Sequence, residues 1–375
     1  MQTLSKQVRT TTIPDARADE VRRGCTRFLT HHYRRSPREE LLALAELTDP
    51  AQEADTYGKG TLIEEFEAEV AALLGKESAI FLPSGTLAQM IALRIWAERR
   101  HCDNIAMHPT AHLEKDENWG YQRLHNLRGV IVGQPNQLMA LTDLESVAEP
   151  LAALLIELPQ RWLGGELPTW VELTAISAWA REREIVMHLD GARLWESGPF
   201  YDRPYAEICE LFDSVYVSFY KGLGGMTGAA LAGPAELIAE ARIWQHRQGG
   251  RLIRMYPFVL SARHALATRL DRMPLYHARA VELAEALSSV PGITIRPNPP
   301  HTNMMQVYLQ GDQEQLQTAM LDVSEETGVF MFPRLWPAMV PNMQLAELTV
   351  GDATLDLTID EITALFSAVF ERAAS

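Results

Sequence analysis

Short apolar runs recur along much of the chain, separated by longer stretches in which apolar residues repeat every three or four positions. The runs cover residues 78–82, 129–132, 154–157, 185–189, 214–220 and 229–232. Each run has the length of a buried strand, and the stretches between several of them have the period of an amphipathic helix, most clearly 170–184. This alternation predicts an α/β fold with a mainly parallel sheet that is covered on both faces.

Local start and stop signals predict two helices ahead of these units. Ser36-Pro37 is typical of a cap followed by a first turn, and it predicts a helix over 36–47. Thr61 is the predicted cap of the next helix, with Glu64 three residues later as in a capping box. Gly75 is the expected end of that helix.

The order of predicted helices and strands changes from about Leu260 onwards. A long helix over 276–289 precedes strands at 293–296 and 304–309, and a second helix over 313–327 follows. Two short strands and a closing helix over 358–372 complete a predicted α+β unit. We therefore expect three parts: an N-terminal arm over 1–27, a large domain over 28–259 and a small C-terminal domain over 260–375.

The first 23 residues are polar and have no apolar core typical of a signal sequence, so they are predicted to form a frayed or partner-contacting arm.

Composition narrows the class of protein. The 375 residues are 47% hydrophobic and 22% charged, which is typical of a globular protein. The formal net charge of −15 argues against nucleic acid or an anionic membrane as the main partner. No apolar run reaches the length of a membrane span. Cys25, Cys102 and Cys209 lie far apart in the sequence, which predicts a reducing, cytoplasmic location and no metal site.

A lysine stands directly after the apolar run 214–220 and directly before a glycine-rich loop. Lys221 is followed by Gly222, Leu223, Gly224 and Gly225. Lysine is seldom buried unless it has a partner or a chemical role, and its amine forms Schiff bases with carbonyl compounds. The sequence therefore indicates Lys221 as a candidate covalent anchor.

Two other distinctive groups stand at predicted strand ends. Gly85 and Thr86 lie in the turn between the strand 78–82 and a helix over 87–99, and Asp190 follows the strand 185–189. In parallel α/β sheets, ligands bind outside the carboxyl ends of the strands. Pyridoxal phosphate needs a lysine for its aldehyde, a carboxylate for its ring nitrogen and backbone donors at a helix start for its phosphate. Each signal is weak alone, but together they predict a pyridoxal-phosphate site.

The chain resembles the threonine aldolase and β-eliminating lyase family of fold-type I pyridoxal-phosphate enzymes over about residues 28–310. The matching segments are Tyr57-Gly58, 62–75 with Pro83 to Thr86, Glu157 with Gly164-Gly165, His188 to Leu194, and Lys221 to Gly224. The resemblance implies the fold of the pyridoxal-phosphate-dependent transferases. It also implies a homodimer or homotetramer whose subunits share active sites.

The resemblance assigns the cofactor residues. Lys221 would hold the cofactor as a Schiff base, Asp190 would pair with the pyridinium nitrogen, and Gly85 and Thr86 would bind the phosphate. Ser218, at the end of the strand before the lysine, would complete the cofactor site.

The resemblance also indicates residues for catalysis and substrate binding. His112, five residues before Glu117, matches the histidine that this family stacks on the cofactor ring, and it is the nearest candidate for a proton relay. Arg193 would face the cofactor or the substrate carboxylate.

The implied reaction is cleavage of the Cα–Cβ bond of a β-hydroxy-α-amino acid to glycine and an aldehyde, through a Schiff base with the substrate and a Cα carbanion. Two alternatives stay open. One is β-elimination, transamination or racemisation on the same cofactor, and the other is a non-catalytic relative that has kept the fold.

The substrate side departs from the family pattern. Tyr220 stands before the lysine where serine is usual, the segment after Glu157 is altered, and 343–349 contains no counterpart of the family's late arginine. We hypothesise that Arg161, Arg251 or Arg254 replaces that clamp, because a guanidinium binds a carboxylate through two hydrogen bonds.

Two other motifs are rejected. A dinucleotide fingerprint would need glycine where Thr227 stands. His108 and His112 have the spacing of helical metal ligands, but Pro109 between them disfavours the helix that such a site needs.

Overall fold

The computed structural model describes residues 16–374. The helices are α1 (Ala16–Gly24), α2 (Pro37–Leu47), α3 (Thr61–Leu73), α4 (Gly85–Arg100), α5 (His112–Lys115), α6 (Gly120–His125), α7 (Leu141–Glu145), α8 (Trp170–Glu182), α9 (Leu194–Tyr201), α10 (Tyr205–Glu210), α11 (Ala235–Arg247), α12 (Tyr256–Arg269), α13 (Met273–Ser288), α14 (Gln313–Thr327) and α15 (Ile359–Ala373). The strands are β1 (Arg27–Phe28), β2 (Ser78–Leu82), β3 (Asn104–Met107), β4 (Arg128–Ile131), β5 (Ala153–Glu157), β6 (Val186–Gly191), β7 (Ser214–Ser218), β8 (Ala229–Gly233), β9 (Ile293–Arg296), β10 (Met304–Gln310), β11 (Val329–Phe330), β12 (Trp336–Pro337) and β13 (Met343–Thr349).

A seven-stranded sheet forms the centre of the first part of the chain, in the order β2-β8-β7-β6-β5-β3-β4. All pairs from β4 to β7 are parallel, and β8 pairs antiparallel with both β7 and β2. The predicted mainly parallel α/β sheet is thus confirmed. Strand β3 was missed, because only three of its four residues, Asn104–Met107, are apolar, and this run is shorter than those of the predicted strands.

Helix starts agree with the sequence signals at α2 but not at α3. Ser36 caps α2 through a full capping box with Glu39. Thr61 is not the cap of α3, since it is the first helical residue and Gly60 holds the cap position without a side-chain bond. Glu64 Oε1 accepts instead from the amide of Gly60, at 3.4 Å, so the bond differs from the predicted box between Thr61 and Glu64.

A second sheet, in the order β12-β13-β10-β9, lies in the C-terminal part and is antiparallel throughout. Helices α13 and α15 pack together beside it, and α13 contacts both β9 and β10. The α+β character expected after residue 260 is therefore present. The proposed boundary at 259/260 falls inside α12, which also contacts α2 and α3, and the division into domains stays a proposal.

The described part of the predicted N-terminal arm is a packed helix. Helix α1 contacts α14, and Ala18 and Val21 are buried against Leu321 and Phe330. Frayed backbone is therefore the wrong description for residues 16–24, whereas residues 1–15 of the predicted arm lie outside the described residues.

Buried aromatic rings pack around Phe219, the residue directly after β7. The Phe219 ring lies 5.1 Å from Phe66, 6.1 Å from Phe81 and 6.2 Å from Trp195, measured between centroids. Phe66, Phe219 and Trp195 are completely buried. Because Phe219 is fixed in this cluster, the loop that starts two residues later leaves the sheet from a rigid position.

Within residues 16–374, every helix is too short or too polar to cross a membrane.

Candidate active site

The carboxyl ends of β5, β6 and β7 lie side by side. In the register of the sheet, Glu157 on β5 pairs with Asp190 on β6, and Asp190 pairs with Tyr216 on β7. Lys221 follows β7 by three residues. The strand ends that the sequence marks as chemically distinctive are therefore neighbours at one edge of the sheet.

Asp190 is a buried carboxylate with two neutral donors. Its Oδ2 accepts a hydrogen bond from Gln89 Nε2 at 3.0 Å, and its Oδ1 accepts from the Ala192 amide at 3.1 Å. The side chain is 1% exposed. Burial raises the pKa of Asp190, although His112 and the two donors act in the opposite direction. A carboxyl in this setting is stabilised as an anion by a positive group that binds beside it.

Lys221 opens a loop that is held at both ends. The Gly224 amide donates to the Lys221 carbonyl at 3.0 Å, the Gly225 amide donates to the Phe219 carbonyl at 2.8 Å, and Gly224 has a φ of 67° that suits glycine. Burial, followed by Arg193 and Arg161, lowers the pKa of the Lys221 amine to about 8. The amine is thus closer to its neutral, nucleophilic form at physiological pH than an exposed lysine is.

Helix α4 begins at the predicted phosphate turn, two residues earlier than the sequence indicates. Ser84 caps the helix by accepting from the Leu87 amide at 3.3 Å, and Gly85 and Thr86 form the first turn. A Cβ atom on Gly85 would lie 1.8 Å from the Tyr216 hydroxyl, so only glycine fits there. The unpaired backbone N–H groups at the helix start and the nearby tyrosine hydroxyl are donors that suit an anion.

Tyr220, the residue that departs from the family pattern, contributes to the same place. Its ring centroid lies 4.9 Å from Lys221 Nζ, and its hydroxyl lies close enough to Tyr216 to influence the pKa of that residue. The unusual tyrosine therefore lies between the lysine and the strand residue that faces the phosphate turn.

His112 is the first residue of α5 and is paired with a buried carboxylate. His112 Nδ1 lies 2.8 Å from Glu117 Oε1, which also accepts from Thr86 Oγ1 at 3.0 Å. Burial alone would lower the pKa of His112, but Glu117 and then Asp190 and Glu157 outweigh it, and the pKa is raised. Glu117 Oε2 is buried and has no hydrogen-bond partner within residues 16–374.

Ser218 faces the backbone of its own strand end. Its Oγ accepts from the Tyr220 amide at 3.3 Å, and its carbonyl accepts from Trp195 Nε1 at 2.8 Å. The residue is completely buried. These bonds fix the strand end, and a direct contact between Ser218 and a cofactor stays a prediction.

Two of the candidate arginines meet at a glutamate of the second sheet. Arg161 Nε donates to Glu347 Oε2 at 2.9 Å, and Arg193 Nη2 lies 3.9 Å from Glu347 Oε1. Arg193 and Arg161 hold the pKa of Glu347 below its usual value, despite burial that acts to raise it. All three charges of this ion-pair cluster of Arg161, Arg193 and Glu347 influence the pKa of Lys221, so the cluster lies within electrostatic range of the lysine.

The other two candidate arginines bind a different segment. Arg251 Nε donates to the Tyr57 carbonyl at 3.0 Å, and Arg254 Nη1 donates to the Asp55 carbonyl and to Thr56 Oγ1, both at 2.8 Å. Within one chain, Arg251 and Arg254 therefore bind the loop before α3 and do not contact the ion-pair cluster through these bonds.

Sequence reasoning missed several residues of this site. Glu347 gave no signal, because it pairs with residues far away in the chain. Gln89 could not be assigned to the site from the sequence, because its bond to Asp190 becomes visible only in the fold. Tyr216 could have been found, since it lies on the strand before Lys221 and its side chain points to the α4 side of the sheet.

The donor set fits pyridoxal phosphate. A lysine amine of lowered pKa, a buried carboxylate and a helix start free of a Cβ atom are the groups that an aldehyde, a ring nitrogen and a phosphate require. All three stand on neighbouring strand ends or on the helix directly after β2.

Comparisons with known proteins agree with the family resemblance that the sequence indicates. The sequence profile of the β-eliminating lyase family matches residues 43–311. A low-specificity L-threonine aldolase of Arabidopsis thaliana is 24% identical over 308 residues, which are 78% of this chain and 83% of the plant protein.

Two solved structures are more similar. A candidate L-allo-threonine aldolase from Listeria monocytogenes is 40% identical, with a TM-score of 0.90 over 95% of this chain and 99% of that protein. A candidate aromatic amino-acid β-eliminating lyase/threonine aldolase from Exiguobacterium is 39% identical, with the same TM-score and coverage.

Proposed function

The chain belongs to the β-eliminating lyase family of pyridoxal-phosphate-dependent lyases, and from this premise we propose that it cleaves the Cα–Cβ bond of β-hydroxy-α-amino acids to glycine and an aldehyde. The observation that carries the proposal is the His112–Glu117 pair beside Asp190. Cleavage of this bond needs an acceptor for the proton of the β-hydroxyl, and the neutral imidazole of His112, held through Nδ1 by Glu117, can take that role.

The cofactor side supplies the electron sink. Pyridoxal phosphate, when bound, would supply the electron sink for the electron pair that the broken bond leaves on Cα. Lys221 offers the amine for the cofactor aldehyde, and its lowered pKa favours that bond. Asp190 keeps the proton on the ring nitrogen, while Gln89 holds the carboxylate in place. Gly85 and Thr86 at the start of α4 bind the phosphate, with the Tyr216 hydroxyl beside them.

His112 moves the proton. As the substrate hydroxyl loses its proton to the imidazole, the Cβ–O bond becomes a carbonyl, and the Cα–Cβ bond breaks with its electron pair on Cα. A proton then returns to Cα and completes glycine. Glu117 fixes the imidazole through Nδ1, which leaves Nε2 for the substrate.

Arg193 is the proposed clamp for the substrate carboxylate. Its 3.9 Å contact with Glu347 is longer than a hydrogen bond, whereas Arg161 is already bound to Glu347 at 2.9 Å. A carboxylate that approaches Arg193 therefore displaces little.

The names of the relatives support this choice and supply one rival. Both the Arabidopsis and the Listeria proteins are named as threonine aldolases, whereas the Exiguobacterium name also includes a β-eliminating lyase of aromatic amino acids. β-Elimination is therefore the second candidate reaction.

Product analysis decides between the two reactions. The holoenzyme is incubated with L-threonine, L-allo-threonine and phenylserine, and glycine, aldehyde, keto acid and ammonia are measured. Glycine and aldehyde in equal amounts support aldol cleavage. Keto acid and ammonia without glycine support β-elimination. The absence of any product with all three substrates, from protein that carries the cofactor, contradicts the proposal.

A homo-oligomer with shared active sites is part of this proposal. Tyr57, Leu252, Ile253 and Tyr256 expose large apolar side chains close together, since the Tyr57 amide donates to the Ile253 carbonyl. Such a patch is typical of a subunit interface. Light scattering that gives the mass of a monomer for the holoenzyme contradicts it. A cytoplasmic location is also proposed, and the three cysteines are free thiols, as a reducing compartment allows.

A further inference from the structure

The ion-pair cluster places a fixed negative charge on the substrate side of the site. Glu347 lies on β13 opposite Gln306 of β10. Its neighbours Ala346 and Leu348 are buried in the core, so Glu347 points to the other face of the sheet, where it meets Arg161 and Arg193. Its side chain is 19% exposed, so the charge is only partly screened by water.

Arg161 is held as part of the protein framework. Its guanidinium donates to Glu347 and lies 5.3 Å from the centroid of the Trp162 ring, while its amide donates to Glu157 Oε1 at 3.1 Å. A substrate group that bound Arg161 would therefore have to replace Glu347 at a distance of 2.9 Å. Such an exchange leaves one carboxylate without its partner in a half-buried site, which is costly.

The balance of charge follows from these contacts. Two guanidiniums and one carboxylate leave a single net positive charge, and the α-carboxylate of an amino acid neutralises it. A second carboxylate on the substrate side chain would add a negative charge next to Glu347 without a free cation in the cluster.

We propose that Glu347 excludes amino acids with a second carboxylate, that Arg161 holds Glu347 for this task, and that the enzyme therefore takes substrates with an uncharged side chain. The inference rests on the proposed function for the substrate type. Glu347 and Arg161 act here as residues that determine specificity, and Arg193 remains the clamp.

Binding of an isosteric pair of amino acids tests the inference. The holoenzyme is titrated with L-asparagine and with L-aspartate, and dissociation constants are obtained by calorimetry and from the change in cofactor absorbance. Because a charged hydrogen-bonded contact contributes a factor of about ten to a hundred, we expect wild-type protein to prefer asparagine at least about tenfold. Equal binding of the two ligands by wild-type protein overturns the inference without any variant.

Variants assign the preference to residues. In Glu347→Gln, Arg161 loses its carboxylate partner, and its guanidinium can bind a second carboxylate of the ligand. Aspartate is therefore expected to bind at least about tenfold more tightly than in wild type. The double variant with Arg161→Gln is expected to lose this gain. A Glu347→Gln protein that keeps the wild-type ratio within about twofold overturns the proposal, and so does a double variant that keeps the gain.

A matched control makes the same substitution elsewhere. Glu326 binds Arg372 between α14 and α15, and Glu326→Gln removes a similar ion pair from helices that carry no candidate site residue. It is expected to leave both constants unchanged. Since these titrations need no cleavage, failure of the aldol assay would contradict the proposed reaction and leave the exclusion of a second carboxylate standing.

Discussion

On the cofactor side of the site, Asp190 and Lys221 follow neighbouring strands of one sheet, whereas on the substrate side Arg161 meets a glutamate 186 residues later in the chain. The first arrangement is set by the register of parallel strands. The second depends on how the C-terminal sheet packs against the first part of the chain. Substrate preference can therefore change through residues of the second sheet while the cofactor site stays the same.

The two sides also differ in how they hold a carboxylate. Asp190 is bound by the neutral donors Gln89 and Ala192, and burial raises its pKa. Glu347 is bound by guanidiniums, and its pKa is lowered. Asp190 is thus prepared for a positive group that arrives with a ligand, while Glu347 already has its counter-ions.

The largest expected effect is at Lys221. Lys221→Ala removes the amine for the cofactor aldehyde, so activity should fall at least about a thousandfold. Borohydride treatment followed by mass spectrometry should attach the cofactor to wild-type protein and not to the variant.

Lys59→Ala, at an exposed lysine, is the control and should keep the attached cofactor. Attachment in the Lys221→Ala protein at the wild-type level would show that the cofactor side is built around another group.

Asp190→Asn is expected to have the next largest effect. The amide keeps the shape but cannot stabilise a proton on the ring nitrogen, and a loss of about a hundredfold to a thousandfold in kcat is expected, as for other preorganised charges. The dissociation constant for an amino acid should change much less, because Arg193 is untouched. A drop in amino-acid affinity as large as the drop in kcat would mean that the two sides are not separate.

The sequence can indicate candidate residues on the cofactor side, because each signal there is local. Each of the two signals, a lysine before a glycine loop and an aspartate after an apolar run, is recognised from its own short segment of sequence. The parallel sheet then brings the two segments together. The same local reasoning failed at Thr61, where the cap position belongs to Gly60 and the backbone geometry decides. It also missed β3, whose four residues resemble many loop segments.

The substrate side could not be predicted in this way. Glu347 stands in a strand that alternates between buried and half-buried residues, and nothing in its neighbours distinguishes it from a solvent-facing glutamate. Its role depends on two arginines from other parts of the chain. Arg161 was hypothesised to be the substrate clamp, and its bond to Glu347, which gives its charge another role, became visible only in the fold.

Glu117→Gln should give a smaller, pH-dependent effect at the boundary between the two sides. His112 must be neutral to accept a proton, and its raised pKa places the acid limb of kcat/KM at higher pH than for an ordinary histidine. Removing the carboxylate charge lowers this pKa, so the acid limb should move to lower pH. The measurement is a pH–rate profile together with an NMR titration of the imidazole. A limb that stays in place means that another group is the base.

The smallest effect is expected at Arg251, and it tests whether the substrate side is complete within the ion-pair cluster. Arg251 donates to the Tyr57 carbonyl at the surface, and such a bond is worth little when water can replace it. Arg251→Ala should therefore change KM by less than about threefold, whereas Arg193→Ala should raise it at least about tenfold. Light scattering must accompany the assay, because Arg251 borders the exposed apolar patch around Ile253. If KM rises tenfold in Arg251→Ala while the oligomer is intact, the carboxylate clamp lies at this segment and not in the ion-pair cluster.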